Sequence, residues 1–146
     1  DILVRCGQST ISSRLVEGRF PDYSKLIDTG GGSVATLEVD SFHTAVRQAD
    51  IVTSDESRGV DFSFDKGQLT LKTVAADVGE STVEIPVAYD GEAVSISFDP
   101  RYIIEFLRVL KPESTVSLHL SDSESAAVFR TDDGYTYVVM PLSRDR

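Results

Sequence analysis

The stretch S-I-S-F-D-P-R-Y-I-I-E-F-L, residues 95–107, decides the fold because it fixes where a strand ends and a helix begins. Polar and apolar residues alternate up to Phe98, which is the period of a half-buried strand. Asp99 can accept N–H groups of a first helical turn, and Pro100 suits the first helical position, where no N–H donor is needed. We therefore predict a strand over 93–98 and a helix over 99–111. The apolar side of that helix comprises Tyr102, Ile103, Phe106, Leu107 and Leu110.

The same strand-to-helix plan occurs earlier in the chain. A strand-like run over 34–39 leads to Asp40, which we predict to cap a helix over 40–54. The apolar stripe of this helix consists of Phe42, Ala45, Val46, Ala49 and Val52. The other strand-like runs are 59–65, 68–74, 78–88, 115–120, 126–131 and 135–140. Residues 34–142 therefore predict the order β-α-β4-α-β3, an α+β fold with two helices packed on antiparallel sheets.

The region before residue 34 has a different character. Strand-like runs over 2–6 and 9–16 precede a turn-rich stretch, and D-T-G-G-G-S over 28–33 is typical of a flexible linker. We place a domain boundary within 24–33. The single cysteine, Cys6, is predicted to be a buried or half-buried strand residue. Because the chain opens inside a strand, we expect it to be a piece of a longer protein.

Composition excludes several classes of protein. Hydrophobic residues make up 40% of the 146 residues, which is enough for a packed core. No apolar run approaches the roughly 20 residues of a membrane-spanning helix, and one cysteine cannot form an internal disulfide framework. The net charge of −10 argues against indiscriminate binding to polyanions. It does not exclude nucleic acid, because net charge does not say where the charges lie.

No sequence motif points to catalysis. The chain lacks a G-x-S-x-G elbow, a phosphate-binding G-x-x-x-x-G-K-[ST] loop and an H-E-x-x-H pair. His43 lies on the polar face of the first helix, and His119 alternates with apolar residues so that it points towards solvent. The paired acids all fall in predicted turns, namely Asp55, Glu56, Asp122, Glu124, Asp132 and Asp133. We therefore expect no catalytic residue, no metal site and no cofactor.

The predicted helices carry the basic residues Arg47, Arg101, Arg108 and Lys111. With Asp40 and Asp99 assigned to helix caps, these helix surfaces hold two more basic than acidic groups. Helices of this charge can lie along a phosphate backbone without binding it tightly. Ordinary amphipathic helices with a solvated face of mixed charge would show the same sequence pattern. Both interpretations stay open at this point.

Four motifs occur in a fixed order, G-R-F-P-D-Y at 18–23, S-R-G-V at 57–60, S-F-D-P-R-Y at 97–102 and D-G-Y-T-Y-V-V-M-P-L at 133–142. Together they resemble the C-terminal part of the bacterial DNA polymerase III beta subunit family, the sliding clamps. The resemblance implies a DNA-clamp fold, in which three such domains per subunit build a head-to-tail homodimeric ring with helices facing duplex DNA. It also implies a non-catalytic processivity factor in the cytoplasm, without a membrane partner.

The resemblance divides the chain into three parts. It implies that 1–23 is the end of the middle clamp domain, 24–33 the inter-domain connector and 34–146 the complete third domain. Its partners would be duplex DNA and, through short peptide motifs, the DNA polymerase III alpha subunit, the clamp loader and repair polymerases. Two other interpretations remain, a β-rich protein-interaction domain without a DNA role and a small-ligand or hydrolytic domain.

The resemblance also implies site residues. The positions matching the family's peptide-binding groove are Pro21, Lys25, Leu26, Ser57, Asp99, Tyr102, Ser125, Val138, Val139, Met140, Pro141 and Leu142. The DNA-facing positions are Arg47, Arg101, Arg108 and Lys111. The positions matching the subunit interface of the dimer are Ile51, Val52, Glu80 and Glu84. Two departures affect the groove. The family usually ends with Arg-Leu or similar soon after the last motif, whereas this chain reads S-R-D-R over 143–146. Ser57 and Lys25 replace residues that are often larger or Arg.

Overall fold

The structure, a computed structural model, describes residues 1–20, 22–27, 32–54, 58–76 and 78–143, without the Lys25 side chain. Within these ranges three helices are formed, α1 (Ser24–Ile27), α2 (Val39–Asp50) and α3 (Pro100–Leu107). The strands are β1 (Ile2–Cys6), β2 (Ser9–Ser13), β3 (Ser33–Glu38), β4 (Val60–Asp65), β5 (Gln68–Ala75), β6 (Gly79–Pro86), β7 (Val94–Phe98), β8 (Thr115–Leu120), β9 (Ala127–Arg130) and β10 (Thr136–Val139). The predicted β-α-β4-α-β3 order and the α+β class are confirmed.

Two four-stranded antiparallel sheets exchange their first strands. One sheet has the order β10-β9-β8-β3 and the other β6-β5-β4-β7. Each sheet therefore holds the last three strands of one half and the first strand of the other half. The two halves repeat one plan, as the sequence predicted, but they interlock rather than lie side by side.

Two seams join the free edges of these sheets. The amide of Thr36 in β3 donates to Ala88 at 3.0 Å, and the amide of Ala88 donates back to Thr36 at 3.4 Å. At the second seam the amide of Leu142 donates to the carbonyl of Ser97 in β7 at 2.8 Å. In each half the segment after the last strand thus returns to the first strand. The second seam has only this one backbone hydrogen bond among the described residues.

The core between helices and sheets is built on phenylalanines. Phe42 of α2, Phe62 of β4, Phe98 of β7, Phe106 of α3 and Phe129 of β9 are all buried. The Phe62 and Phe98 rings lie 5.3 Å apart edge to face, and the Phe106 and Phe129 rings lie 5.1 Å apart. Because these rings come from both sheets and both long helices, one continuous core joins the two halves.

The start of α2 differs from the prediction. We predicted that Asp40 caps the helix, but the helix begins at Val39, with Glu38 at the cap position and no side-chain cap bond. The amides of Val39 and Asp40 donate instead to the carbonyls of Ser114, at 3.0 Å, and Pro112, at 3.2 Å. These carbonyls lie in the loop after α3. They accept the first helix amides, which a capping side chain would otherwise satisfy. The helix ends at Asp50 rather than near residue 54.

The start of α3 confirms the prediction. The Asp99 side chain accepts the amide of Arg101 at 3.0 Å, and Pro100 occupies the first helical position. Three of the predicted apolar side chains, Ile103, Phe106 and Leu107, are buried. The helix ends at Leu107 and continues only as turns, in which the amide of Leu110 donates to Leu107 at 3.2 Å.

The hairpin β1–β2 forms a separate two-stranded sheet. All ten of its strand residues are exposed, including Cys6, so the prediction of a buried or half-buried cysteine is wrong. The reason is that no described element covers either face of the hairpin. No helix among the described residues is long and apolar enough to cross a membrane.

The predicted connector over 24–33 contains a short helix that we did not predict, α1. Its amides at Leu26 and Ile27 donate to the carbonyl of Tyr23 at 2.9 and 3.0 Å. Most of the glycine-rich linker, residues 28–31, lies outside the described residues.

Candidate functional site

The tail after β10 forms one wall of a groove against the edge of β7. Met140, Pro141, Leu142 and Ser143 face Ser95, Ser97, Ser123 and Glu124 across a volume of about 770 Å³. The hydrogen bond from Leu142 to Ser97 fixes the tail to β7. Met140 stays 58% exposed and Leu142 38% exposed. The groove therefore offers apolar side chains on a backbone that is held in place.

Strand β10 presents different residues to its two faces. Val139 is opposite Ala127 and buried in the core, whereas Val138 is opposite Val128 on the other face. The predicted alternation of Val138 and Val139 is therefore confirmed. Val138 lies on the outer face of the sheet, away from the helices, and only Val139 belongs to the core.

The outer face of this sheet is tied to the connector. The Arg130 side chain donates from Nη2 to the carbonyl of Ile27 at 2.6 Å, which fastens α1 to β9. Leu26, on the same short helix, is exposed. The Arg130 bond therefore holds the predicted contact residue Leu26 at a fixed place near β10.

Tyr102 lies at the start of α3 and is 51% exposed. Its carbonyl accepts the Tyr137 hydroxyl of β10 at 3.2 Å, while the Tyr137 ring stacks on Phe106 at 4.7 Å. Burial raises the pKa of Tyr137, so this phenol remains a donor. Strand β10 is thus bonded to the helix that carries Tyr102.

Asp99, another predicted peptide-binding residue, is engaged within the fold. Its carboxylate accepts the backbone amide and Nε of Arg101 at 3.0 Å each, and Nη2 at 2.6 Å. These hydrogen bonds hold the pKa of the Asp99 carboxyl below its usual range although burial opposes the shift. Asp99 as a whole is only 6% exposed. Its contacts in the structure are therefore the helix-capping hydrogen bond and the ion pair with Arg101.

Ser125 belongs to the turn between β8 and β9. Its amide and hydroxyl donate to Asp122 at 2.6 and 2.7 Å, and the amide of Glu124 donates to the same carboxylate at 2.8 Å. These bonds lower the pKa of the exposed Asp122 carboxyl, the Ser125 hydroxyl having the largest effect. Asp122 therefore shapes the loop that carries Ser123 and Glu124 into the groove.

The structure brings only part of the predicted peptide-binding set together. Met140, Pro141 and Leu142 line one groove, whereas Leu26 and Tyr102 do not line it. Pro21, Ser57 and the Lys25 side chain lie outside the described residues. The groove also contains Ser95, Ser97, Ser123 and Glu124, which sequence reasoning missed. No local signal marks them, because their role depends on the tail returning to β7.

The two histidines are less exposed than predicted. His119 lies on the outer face of its sheet, as the alternation indicated, but it is half-buried. Burial lowers the pKa of His119, and the Arg130 charge lowers it further. His43 is also half-buried, and its Nε2 atom is buried with no hydrogen-bond partner among the described residues. Among the residues described, no three His, Cys, Asp or Glu side chains are grouped so that they could hold a metal ion.

The predicted DNA-facing residues are exposed. Arg47 lies on α2, Arg108 at the end of α3 and Lys111 in the following turn. Arg101 is half-exposed but is bonded to Asp99. Three cations on or next to the two long helices therefore have side chains in solvent and can reach phosphate groups.

The predicted subunit-interface residues lie near one sheet edge. Strand β6 is the outer strand of its sheet, and Glu80 and Glu84 are exposed on it, Glu80 being 3.9 Å from Lys72. Ile51, just after α2, is 77% exposed, and Val52 is half-buried. An edge strand with an exposed apolar neighbour is the kind of surface that pairs with another chain.

Comparison with known proteins places these features in a family. The sequence model of the family described as DNA polymerase III beta subunit, C-terminal domain, matches residues 24–143. The chain is 32% identical to the beta sliding clamp of Chlamydia muridarum over 141 residues, which are 97% of this chain and 38% of that protein. The chain thus spans well under half the length of such relatives.

Solved structures agree with this match. A DnaN sliding clamp from Bartonella birtlesii, bound to griselimycin, is similar with a TM-score of 0.86 at 27% identity, covering 97% of this chain and 38% of that one. The DNA polymerase III subunit beta of Pseudomonas aeruginosa has a TM-score of 0.85 at 29% identity, covering 97% and 39%.

Proposed function

The chain belongs to the DNA polymerase III beta subunit family, the sliding clamps, and from this membership we propose that its full-length protein encircles duplex DNA and tethers the replicative polymerase. The observation that carries the proposal is the match of the C-terminal clamp domain to 24–143 together with a shared fold over 97% of the chain. In such a protein the contact with DNA is topological, so no base is read and no bond is made or broken.

The arrangement of charge supports this function. Arg47, Arg108 and Lys111 are exposed on or beside the two long helices, while the whole chain has a net charge of −10. A few cations beside the DNA favour encirclement over tight binding, because each phosphate contact adds salt-dependent affinity that would slow sliding. Three sequence-based assignments remain part of the proposal: 1–23 as the end of the middle domain, 24–33 as connector and 34–146 as third domain.

Retention on DNA circles tests the proposal. The labelled full-length protein is loaded by its clamp loader onto a nicked circular plasmid, and half of the sample is cut once with a restriction enzyme. We expect gel filtration to find the protein on circles and not on linear DNA, and blocking the linear ends with biotin–streptavidin to restore retention. Equal retention on open circles and open linear DNA would refute encirclement, because it would show direct binding to DNA. Retention on neither form would favour a β-rich interaction domain without a DNA role.

We further propose that the tail groove binds short peptides of partner proteins. The partners expected from the family are the polymerase alpha subunit, the clamp loader and repair polymerases, and the protein would act as a non-catalytic cytoplasmic factor. Exposed Met140 and Leu142 on a fixed backbone are suited to a leucine or phenylalanine anchor. Leu26, Tyr102 and Val138, which lie around β10, would extend this surface.

Substitution of Met140 tests the groove. Met140→Ala in the full-length protein should weaken binding of a Leu-Phe peptide by about 1–3 kcal/mol, because an interface anchor is lost. Its side chain is 58% exposed, so the urea midpoint of unfolding should stay unchanged. Unchanged peptide affinity would remove Met140 from the binding site.

The subunit interface is a proposal of the same kind. Ile51, Val52, Glu80 and Glu84 would contact the other subunit of a head-to-tail homodimer, with Ile51 as the apolar contact. Ile51→Asp in the full-length protein should convert the dimer to monomers in analytical ultracentrifugation, because a charge would be buried without a partner. A dimer of unchanged stability would exclude Ile51 from the interface.

A further inference from the structure

The tail groove continues into a second hollow that none of the predicted peptide-binding residues lines. This hollow has a volume of about 610 Å³ and shares Ser95 and Ser123 with the tail groove. It adds Ser33, Tyr89, Glu92 and Asp122 to the lining. The two hollows therefore form one continuous channel that follows strand β7.

In the described part of the chain, the channel exposes a strand edge. Strand β7 pairs with β4 on one side only, with Ser95 opposite Ser63 and Ser97 opposite Asp61. The Ser97 carbonyl accepts Leu142 from outside the sheet, so the backbone groups of Ser97 point away from β4. Alternate residues of an antiparallel strand face the same side, and the N–H and C=O of Ser95 therefore point into the channel too. No backbone bond from the described loops and tail reaches Ser95 there.

The channel is acidic. Glu92, Asp122 and Glu124 are exposed along it, and its lining contains no Lys or Arg among the described residues. The Asp122 carboxyl accepts three hydrogen bonds from its own loop, which hold its pKa below the usual range. Among the described residues, the channel thus combines an unpaired strand edge with negative charge.

We propose that the channel extends the peptide site: residues flanking the apolar anchor add as a strand to the β7 edge at Ser95, and a Lys or Arg among them faces Glu92, Asp122 and Glu124. The proposal rests on the proposed function of the tail groove as a peptide site. Main-chain hydrogen bonds supply affinity in such strand addition, and the neighbouring side chains supply selectivity. Because Leu142 already occupies the edge at Ser97, the part of β7 before it, 94–96, offers about 10 Å at about 3.3 Å per residue, which is room for about three flanking residues.

An N-methyl scan tests the strand addition. A fluorescent peptide with a Leu-Phe anchor and a Lys-Ser-Lys-Ser flank is titrated with the full-length protein, and each flanking amide is methylated in turn. Methylation of every second flanking amide should weaken binding, because every second amide of an added strand faces β7. Methylation of the amides between them should leave binding unchanged. Equal effects at all positions, or none, would overturn the strand addition.

Charge exchange tests the selectivity. The Lys-flanked peptide should bind about 2- to 5-fold more tightly than its Gln-flanked counterpart, as expected for solvent-accessible charge pairs. Glu92→Gln, at a position that lines only the second hollow, should reduce this preference and leave the anchor-only peptide unaffected. The matched control is Glu113→Gln, an exposed acid on the loop after α3, which should leave the preference intact. A preference that survives Glu124→Gln combined with Glu92→Gln would overturn the assignment of these acids.

The two levels of the proposal fail separately. If the anchor-only peptide does not bind, the tail groove is not a peptide site, and the proposed peptide-binding function is wrong. If the anchor-only peptide binds but the flanking sequence, amide methylation and Glu92→Gln have no effect, the tail groove is a peptide site and the channel along β7 is not part of it.

Discussion

Replacement of Asp99 by alanine separates a structural role from a peptide-binding role. The change removes the acceptor for the Arg101 amide, a helix cap that contributes about 1 kcal/mol. It also removes the ion pair with half-exposed Arg101, which adds at most about 1 kcal/mol after solvent screening. We therefore expect Asp99→Ala to lower the free energy of unfolding by about 1–2 kcal/mol.

Urea unfolding followed by circular dichroism measures this loss. With a slope of about 2 kcal/mol per molar urea, the midpoint should fall by about 0.5–1 M. Asp99→Asn is the matched control, because an amide oxygen can still cap the helix while the charge is lost. Its midpoint should lie between those of the wild type and Asp99→Ala.

The pH dependence gives an independent check. The folded-state pKa of Asp99 is lowered, so its stabilising effect is present above the unfolded value of 3.8 and is lost as pH falls through the folded pKa. The difference between wild type and Asp99→Asn should therefore shrink below about pH 4. If Asp99→Ala unfolds at the wild-type urea concentration, the capping argument is refuted. A selective loss of peptide affinity would then assign Asp99 to the binding surface.

Three further changes probe the core, the outer face and the connector. Phe129→Ala should cost about 3–5 kcal/mol in urea unfolding, because the ring is fully buried between Phe106 and Phe42; a loss below 1 kcal/mol would contradict the packing. His119→Gln should flatten the fall in stability as pH drops through 6.5, since the folded state disfavours the charged imidazole; an unchanged pH profile would show that His119 does not contribute. Arg130→Met should speed hydrogen exchange at the amide of Ile27 by releasing α1, with no change in strand β5 as the internal control.

Local signals predicted the parts of the fold that local chemistry determines. Asp99 followed by Pro100 marks the start of α3 without any help from distant residues, and the structure confirms it. Asp40 carries the same chemical signal but is not the cap, because carbonyls of Ser114 and Pro112 satisfy the helix amides. The position of that loop depends on the packing of the second half, which no window of sequence contains.

The site shows the same division. The motif over 133–142 predicted Met140 and Leu142 as peptide-binding residues, and both line the groove. The opposite wall, Ser95 and Ser97, could not be predicted, because it depends on which strand edge the tail reaches. Cys6 was predicted incorrectly because strand alternation does not tell whether another layer covers the strand.

The exchange of first strands governs when the domain can become stable during synthesis. Strand β3 leaves the ribosome early, yet its sheet partner β8 comes from the other half of the domain. Until β8 appears, β3 keeps an unpaired edge, and the sheet that contains it cannot form. Much of the stability is therefore gained late, when the strands of the second half have been synthesised. Neither half can unfold alone without leaving a gap in the other's sheet, so the repeat in the sequence does not make two independent folding units.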